Sequence, residues 1–231
     1  MVEKLGIPYV VKLPIGASGG QTYMVKNIKD FLKLQKLLGK QITIVSKYII
    51  GYSFNINCFI DYDHIHMTQP SFQLIGIPES SQEKFTYCGN DFGAFLNLDK
   101  SIQGQIIKVT KVIGNYMKEI GYYGIFGIDF IYDVKSKNLY ALEINPRMQG
   151  STSLLTRYQI SIKKPTLINL YNKCFPLEQD PVTASFVLLH NKTGKIKKIQ
   201  TYYKPGIYRH NFIGKKLILK YMGNKNIFPK Y

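Results

Sequence analysis

The sequence predicts an α+β fold, and three observations carry that expectation. Residues 9–61 run in the order strand, glycine-rich loop, helix, strand, strand. A long amphipathic helix covers about Ser101 to Ile120, and residues 127–150 alternate apolar and polar side chains at period two on both sides of a short polar turn. Strands and helices that follow one another without a strict βαβ repeat belong to the α+β class.

The first strand is Pro8 to Lys12, β-branched at Val10 and Val11 and leading into Leu13-Pro14-Ile15-Gly16-Ala17-Ser18-Gly19-Gly20. Glycine and serine there allow successive amide N–H groups to converge on an anion such as phosphate, and Lys12 adds a point charge beside them. Taken alone the loop reads more often as an ordinary connection, because it lacks the P-loop and dinucleotide-binding spacings. A helix is expected from about Ile28 to Leu38, with Ile28, Phe31, Leu32, Leu34, Gln35 and Leu38 on a mostly apolar stripe and Gly39 at its end. Strands follow at Ile42 to Ile49 and Ser53 to Asp61. Residues 61–92 look irregular apart from a strand at Ser71 to Ile75, and Tyr87 to Phe92 reads as a surface turn with Asp91 at its tip.

His64 and His66 flank Ile65, so both would face one way on a strand. With no third ligand at a helpful spacing, they are expected to be exposed turn residues and not a metal site. The Ser101 to Ile120 helix presents Ile102, Ile106, Val109, Ile113, Tyr116, Met117 and Ile120, capped by Asp99 or Ser101. A further helix begins near Ser151, and strand pieces are expected at Ala184 to His190, Lys197 to Lys204 and Leu217 to Met222.

Length and composition exclude several classes. A chain of 231 residues with 45% hydrophobic residues can bury a real core. It has no run of 18 apolar residues and no charged-then-apolar leader, so a soluble cytoplasmic protein without a membrane partner is expected. Cys58, Cys88 and Cys174 lie too far apart for a zinc motif, and an odd number argues against a disulfide framework. The net charge is +17, and no acid follows Asp180. Such a basic stripe fits nucleic acid, an anionic surface or an acidic partner. Without a recognisable nucleic-acid motif, a basic nucleic-acid-binding protein is the third-ranked reading.

The hairpin carries the chemistry. If its loop is odd and centred on Ser136, Asp129 lies opposite Glu143 at about 5 Å, with Asn145 and Arg147 following on the same face. Ile128, Phe130, Leu142 and Ile144 would then face the core. Two carboxylates, an amide oxygen and a guanidinium on a rigid strand pair suit magnesium. A half-exposed hairpin with a solvated charged face is the alternative, and the Asn and Arg in register favour a site.

Lys12 with its glycine loop, Ser46-Lys47-Tyr48-Ile49-Ile50-Gly51, and Asp129 with Glu143-Ile144-Asn145-Pro146-Arg147 stand in an order that resembles the ATP-grasp superfamily of carboxylate-amine and carboxylate-thiol ligases. The resemblance covers roughly residues 7–152. It implies an ATP-grasp fold of two α+β lobes with the nucleotide between them. Residues 1–62 would form a small lid lobe, 63–180 a larger lobe with the metal hairpin, and 181–231 a basic β-rich part of that lobe. It implies ATP and Mg2+ as cofactors, with Mn2+ as an alternative ion. By the same resemblance Lys12 binds the α- and β-phosphates, Ser18, Gly19 and Gly20 cover them, and Lys47, Tyr48 and Ile49 read the adenine. Gln73 matches a nucleotide-contacting glutamine, Asp129, Glu143 and Asn145 match the metal ligands, and Arg147 the catalytic arginine at the transferred phosphoryl group. Gln149, Gly150 and Ser151 fall where the acceptor substrate binds.

The implied reaction activates a carboxylate as an acyl-phosphate for an amine, on amino-acid or peptide-like small molecules, as Gln149-Gly150-Ser151-Thr152 resembles the amino-acid and peptide ligase branches. The pattern departs at Ser46 and Ser53, where many members carry acids. The family's usual N-terminal lobe would precede Pro8. An N-terminal-lobe partner or a second copy of the chain is therefore the expected protein partner, and an incomplete or non-catalytic module that binds nucleotide or a partner subunit is the alternative function.

Overall fold

A computed structural model describes residues 6–16, 19–77, 81, 83–171, 181–182, 184–190 and 207–213. Its first unit is small. Strands β1 (Tyr9–Lys12), β2 (Thr22–Val25) and β3 (Ile44–Lys47) form an antiparallel sheet in the order β2-β1-β3. Period-two alternation turns Tyr9 and Val11 inward, and helix α1 (Ile28–Leu38) covers them and Val25 with Leu34 and Leu38. Asn27 caps α1 by accepting the Asp30 N–H at 3.0 Å, and Gly39 ends it at φ 57°. The expected stripe is wider than the observed one, since Ile28 and Leu32 stay exposed. Three strands of four residues offer too narrow a face to cover more of the helix.

The second unit is an eight-stranded antiparallel sheet of β4 (Gly51–Ile60), β5 (Ile65–Met67), β6 (Ser71–Ile75), β7 (Tyr87–Asp91), β8 (Gly124–Asp133), β9 (Asn138–Asn145), β10 (Ala184–His190) and β11 (Ile207–Ile213). Its order is β11-β10-β7-β6-β4-β8-β9, with β5 paired to β4. The strand at 51–60, which falls inside the lobe expected for residues 1–62, pairs along its whole length with β8 in this larger sheet.

The two faces of β4 and β8 differ. Phe54, Ile56, Cys58 and Ile60, with Phe126, Ile128 and Phe130, pack beneath helix α3 (Lys100–Glu119) through Ile102, Ile106 and Met117. Helix α3 thus lies under the hairpin, on the side away from Asp129. On the opposite face Phe59 and Ile125 meet Leu154, Leu155, Leu167 and Leu170 of helices α4 (Thr152–Ser161) and α5 (Leu167–Tyr171), α2 (Phe92–Phe95) having contributed Phe92. Further along that face the side chains become Asn57, Asn55 and Asp129. The face is thus apolar where helices cover it and polar toward the small sheet.

Three expectations are corrected. Tyr87 to Asp91 is an interior strand, paired to β6 and β10, so Asp91 is fully buried and caps α2 through the Ala94 N–H at 2.8 Å. Leu142 and Ile144 are exposed (57% and 42%), because β9 is an edge strand whose outer positions no described element covers. A strand forms at Ile207–Ile213, where none was expected, pairing with β10. The expected strands at 197–204 and 217–222 lie outside the described residues. Among the described residues no helix is long and apolar enough to cross a membrane.

Candidate nucleotide and metal site

Asp129 sits mid-strand in β8 between Asn55 of β4 and Glu143 of β9. The pairing with Glu143 arises differently from the expected odd loop. Four residues, 134–137, close the hairpin, pairing Asp133 with Asn138 and so on to Phe130 with Ala141. A bulge then makes Leu142 the extra residue and brings Glu143 opposite Asp129. Without that bulge Leu142 would face Asp129.

Three side chains donate to the Asp129 carboxylate. Gln73 Nε2 and Gln149 Nε2 donate to Oδ1 at 2.9 and 2.8 Å, and Asn145 Nδ2 donates to Oδ2 at 3.2 Å. Arg147 in turn donates to Asn145 Oδ1 at 2.9 Å and to the Met148 carbonyl at 3.1 Å. Burial, and then the like charge of Glu143, push the Asp129 carboxyl up to about 6 despite these three donors. A nearby dication would relieve that penalty. The donor set, two carboxylates and the Asn145 amide oxygen, consists of hard oxygens, so the residues fit magnesium.

Beneath this group lies a buried polar floor. Asn55 Nδ2 donates to Gln149 Oε1 at 3.1 Å and to Ser151 Oγ at 2.9 Å, while its Oδ1 accepts from Ser71 and Asn90. Asn57 donates to the same Ser151 hydroxyl at 2.9 Å and accepts from Thr152 at 2.7 Å. Ser151 is therefore sealed in the floor, and Gln149 is nearly so. Both hold the site from below, and Gly150 is the exposed member of the three expected substrate contacts. Gly127 makes this possible, since a Cβ there would overlap the Gln149 carboxamide.

From the small sheet Lys12 reaches across and forms an ion pair with Glu143. Gly19, at φ 78°, lies so close to the Phe85 carbonyl that a side chain would collide with it. Tyr48 packs edge-on to the Phe85 ring at 6.5 Å, and Lys84 lies over the Tyr48 ring at 4.6 Å. The glycine loop and the segment after β3 thus meet the same residue. Lys47 is exposed at the end of β3, opposite Tyr9, and Ile49 is half-buried. Gly20 is half-buried, and Ser18 lies outside the described residues.

The structure therefore brings together Lys12, Gln73, Asp129, Glu143, Asn145, Arg147 and Gln149. It places Gln73 against Asp129. Phe85, Asn55 and Asn90 were missed. A signal for Asn55 existed, as Asn55 and Asn57 are polar at period two within an apolar strand. Phe85 had none, because its role comes from the approach of two distant segments. Cys58 and Cys88 are wholly buried, and burial pushes both thiols up, so neither is a nucleophile.

A family model described as the ATP-grasp domain matches residues 2–151. Over 153 residues, 63% of this chain, the sequence is 25% identical to the [butirosin acyl-carrier protein]--L-glutamate ligase of Niallia circulans. N5-carboxyaminoimidazole synthetase from Staphylococcus aureus, complexed with ADP, superposes with a TM-score of 0.66 at 15% identity over 95% of this chain. The biotin carboxylase domain of Hydrogenobacter thermophilus 2-oxoglutarate carboxylase, in complex with MgADP and bicarbonate, does so at 0.60 and 18% identity over 84%. The chain spans 34% of the length of the curated relative, and 61% and 44% of these two structures.

Proposed function

The chain belongs to the ATP-grasp family, and we propose that it is an ATP- and magnesium-dependent ligase that activates a carboxylate as an acyl-phosphate for attack by an amine. The observation that carries this reading is the convergence of Lys12 from one sheet with Asp129, Glu143, Asn145 and Arg147 from the other. Phosphoryl transfer asks a protein mainly for positioning and charge neutralisation, and these residue types supply both. Small-molecule carboxylates and amines are the proposed substrates. The likeness to a glutamate ligase supports an amino-acid substrate.

Magnesium, held by Asp129, Glu143 and the Asn145 amide oxygen, would neutralise the β- and γ-phosphates. Lys12 adds its ammonium to phosphate oxygens once it leaves Glu143. Gly19 and Gly20 supply backbone N–H groups above them. Arg147 uses two donors on Asn145 and Met148, and its remaining donors are open to the transferred phosphoryl group. A substrate carboxylate oxygen attacks the γ-phosphorus and ADP leaves. The amine then attacks the acyl carbon, phosphate leaves, and the amine proton passes to solvent. No protein nucleophile is required, in keeping with the buried Cys58 and Cys88.

The chain's share of its relatives' length favours a second reading, a module that binds nucleotide and works with further polypeptide. Phosphate release from ATP and Mg2+ separates the two, using a panel of carboxylates and amines that includes an acyl-carrier protein with L-glutamate. Release that needs both substrates and falls at least a hundredfold in Glu143→Gln supports the ligase. ADP binding without release supports the module, and failure to bind nucleotide removes both.

A further inference from the structure

The β4–β5 turn, at the far end of the large sheet from Asp129, gathers three potential ligands. Asp61 is six residues along β4 from Asn55, the strand partner of Asp129, so roughly 20 Å separates it from the nucleotide site. A two-residue turn, Tyr62-Asp63, closes the hairpin, with the Asp61 N–H donating to the His64 carbonyl at 3.1 Å. The pairing puts Asp61, His64 and His66 on one face. Asp61 is the third ligand absent from the sequence reading, because only the turn brings it back against the two histidines.

The carboxylate is already oriented. Asp61 Oδ1 accepts the backbone N–H groups of Asp63 and His64 at 2.8 and 2.6 Å, which fixes the plane of the group. His66 Nε2 lies 2.7 Å from Oδ2, and His64 Nδ1 lies 3.7 Å from Oδ1. One ligand atom from each residue falls within 4.8 Å of the others. The two rings are 5.9 Å apart and inclined at 51°, and the Phe59 ring packs 6.2 Å from His66.

We propose that Asp61, His64 and His66 form a binding site for a transition-metal dication of the zinc type, separate from the nucleotide site. Two imidazole nitrogens and one carboxylate suit zinc better than magnesium. Tetrahedral bonds of about 2.05 Å put ligand atoms about 3.3 Å apart. The Asp61–His66 separation must therefore open slightly and the Asp61–His64 one close slightly, which side-chain rotation allows. His66 binds through Nε2 with its proton carried on Nδ1, and water completes the coordination. Lys118 donates to the Asp63 carbonyl at 2.7 Å, which brings its ammonium to the turn. The ion would add a tie between β5 and the end of β4 to the backbone pairing and the Asp61 carboxylate that already hold the turn.

The test is calorimetric titration of Zn2+ into the metal-free full chain carrying Asp129→Asn and Glu143→Gln, so that the magnesium ligands do not contribute. Binding of one ion that weakens tenfold or more in both His64→Ala and His66→Ala is expected. Co2+ should give the visible absorption of a tetrahedral site, lost in His64→Ala. His64 is 73% exposed, so its removal leaves the fold intact. No binding, or a loss of less than tenfold in His64→Ala, overturns the site and leaves an ordinary Asp–His hydrogen bond.

Discussion

Lys12 and Glu143 lie 131 residues apart in the chain and meet as an ion pair between the two sheets. Each side chain is a little over a third exposed, so water screens the pair. The coupling measured by a Lys12→Met, Glu143→Gln cycle in urea should be no more than about 1 kcal/mol. The pair occupies a proposed phosphate ligand and a proposed metal ligand with each other, and nucleotide binding must separate them. Lys12→Met should therefore weaken ADP binding at least tenfold. Glu143→Gln should weaken it in the presence of Mg2+ and leave it slightly tighter in its absence, because Lys12 then has no ion pair to break. Calorimetry with ADP, with and without Mg2+, reads both, and equal losses under the two conditions would remove Glu143 from the metal site.

The Asp129 carboxyl gives a pH dependence. Its folded value, about 6, lies above the ordinary 3.8. The folded state therefore holds a proton that the unfolded state has released between those values. This stabilising contribution is complete below about pH 4 and is lost as pH rises through about 6. Asp129→Asn should accordingly stabilise the metal-free protein more at pH 7.5 than at pH 5, as read by urea unfolding. Magnesium must displace the same proton, so its affinity should fall about tenfold between pH 7 and pH 5. A flat profile would place the proton elsewhere.

Gly127 is where backbone space and site geometry meet. Its missing side chain leaves room for the Gln149 carboxamide, which bridges Asp129 and Asn55. Gly127→Ala should cost about 1–3 kcal/mol through overpacking. It should also lower Mg2+ affinity by withdrawing a donor from Asp129. Unchanged unfolding and unchanged Mg2+ binding would show that Gln149 has another place to lie.

The site was legible where chemistry repeats at the period of a strand. Alternation places Asp129 on one face of its strand and Glu143, Asn145 and Arg147 together on one face of the next, and helical spacing and capping residues place α1 and α3. The reason given for the Asp129–Glu143 pairing was an odd loop, whereas the hairpin loop is even and a bulge at Leu142 restores the register. A bulge is set by how the strands seat against their neighbours, which alternation does not record. The same limit misplaced Asp91, whose turn-like neighbours Gly89 and Asn90 pack inside the sheet and whose burial depends on β10, some 95 residues later. Gln73 and Ser151 had roles toward ligands in the sequence reading. In the structure the half-buried Gln73 bonds Asp129 and the buried Ser151 bonds Asn55 and Asn57 in the floor.

Asn55 is the strongest case for a residue that acts through others. Its side chain bonds none of the proposed phosphate and metal ligands, yet its amide joins Gln149 and Ser151 on one side to Ser71 and Asn90 on the other. All five side chains are buried. Asn55→Ala would take one hydrogen bond from each of the other four, at about 1–3 kcal/mol for each buried atom that water does not satisfy. A loss of about 2–4 kcal/mol in urea unfolding is therefore expected. Asn55→Asp tests position apart from stability. It keeps the size but replaces the donor toward Gln149 with an acceptor, turning the glutamine away from Asp129. With the fold intact at low temperature, Mg2+ affinity should still fall several-fold, and in the ligase reading ATP turnover should fall with it. An Asn55→Asp protein that binds Mg2+ like the parent would limit this residue to holding the floor together.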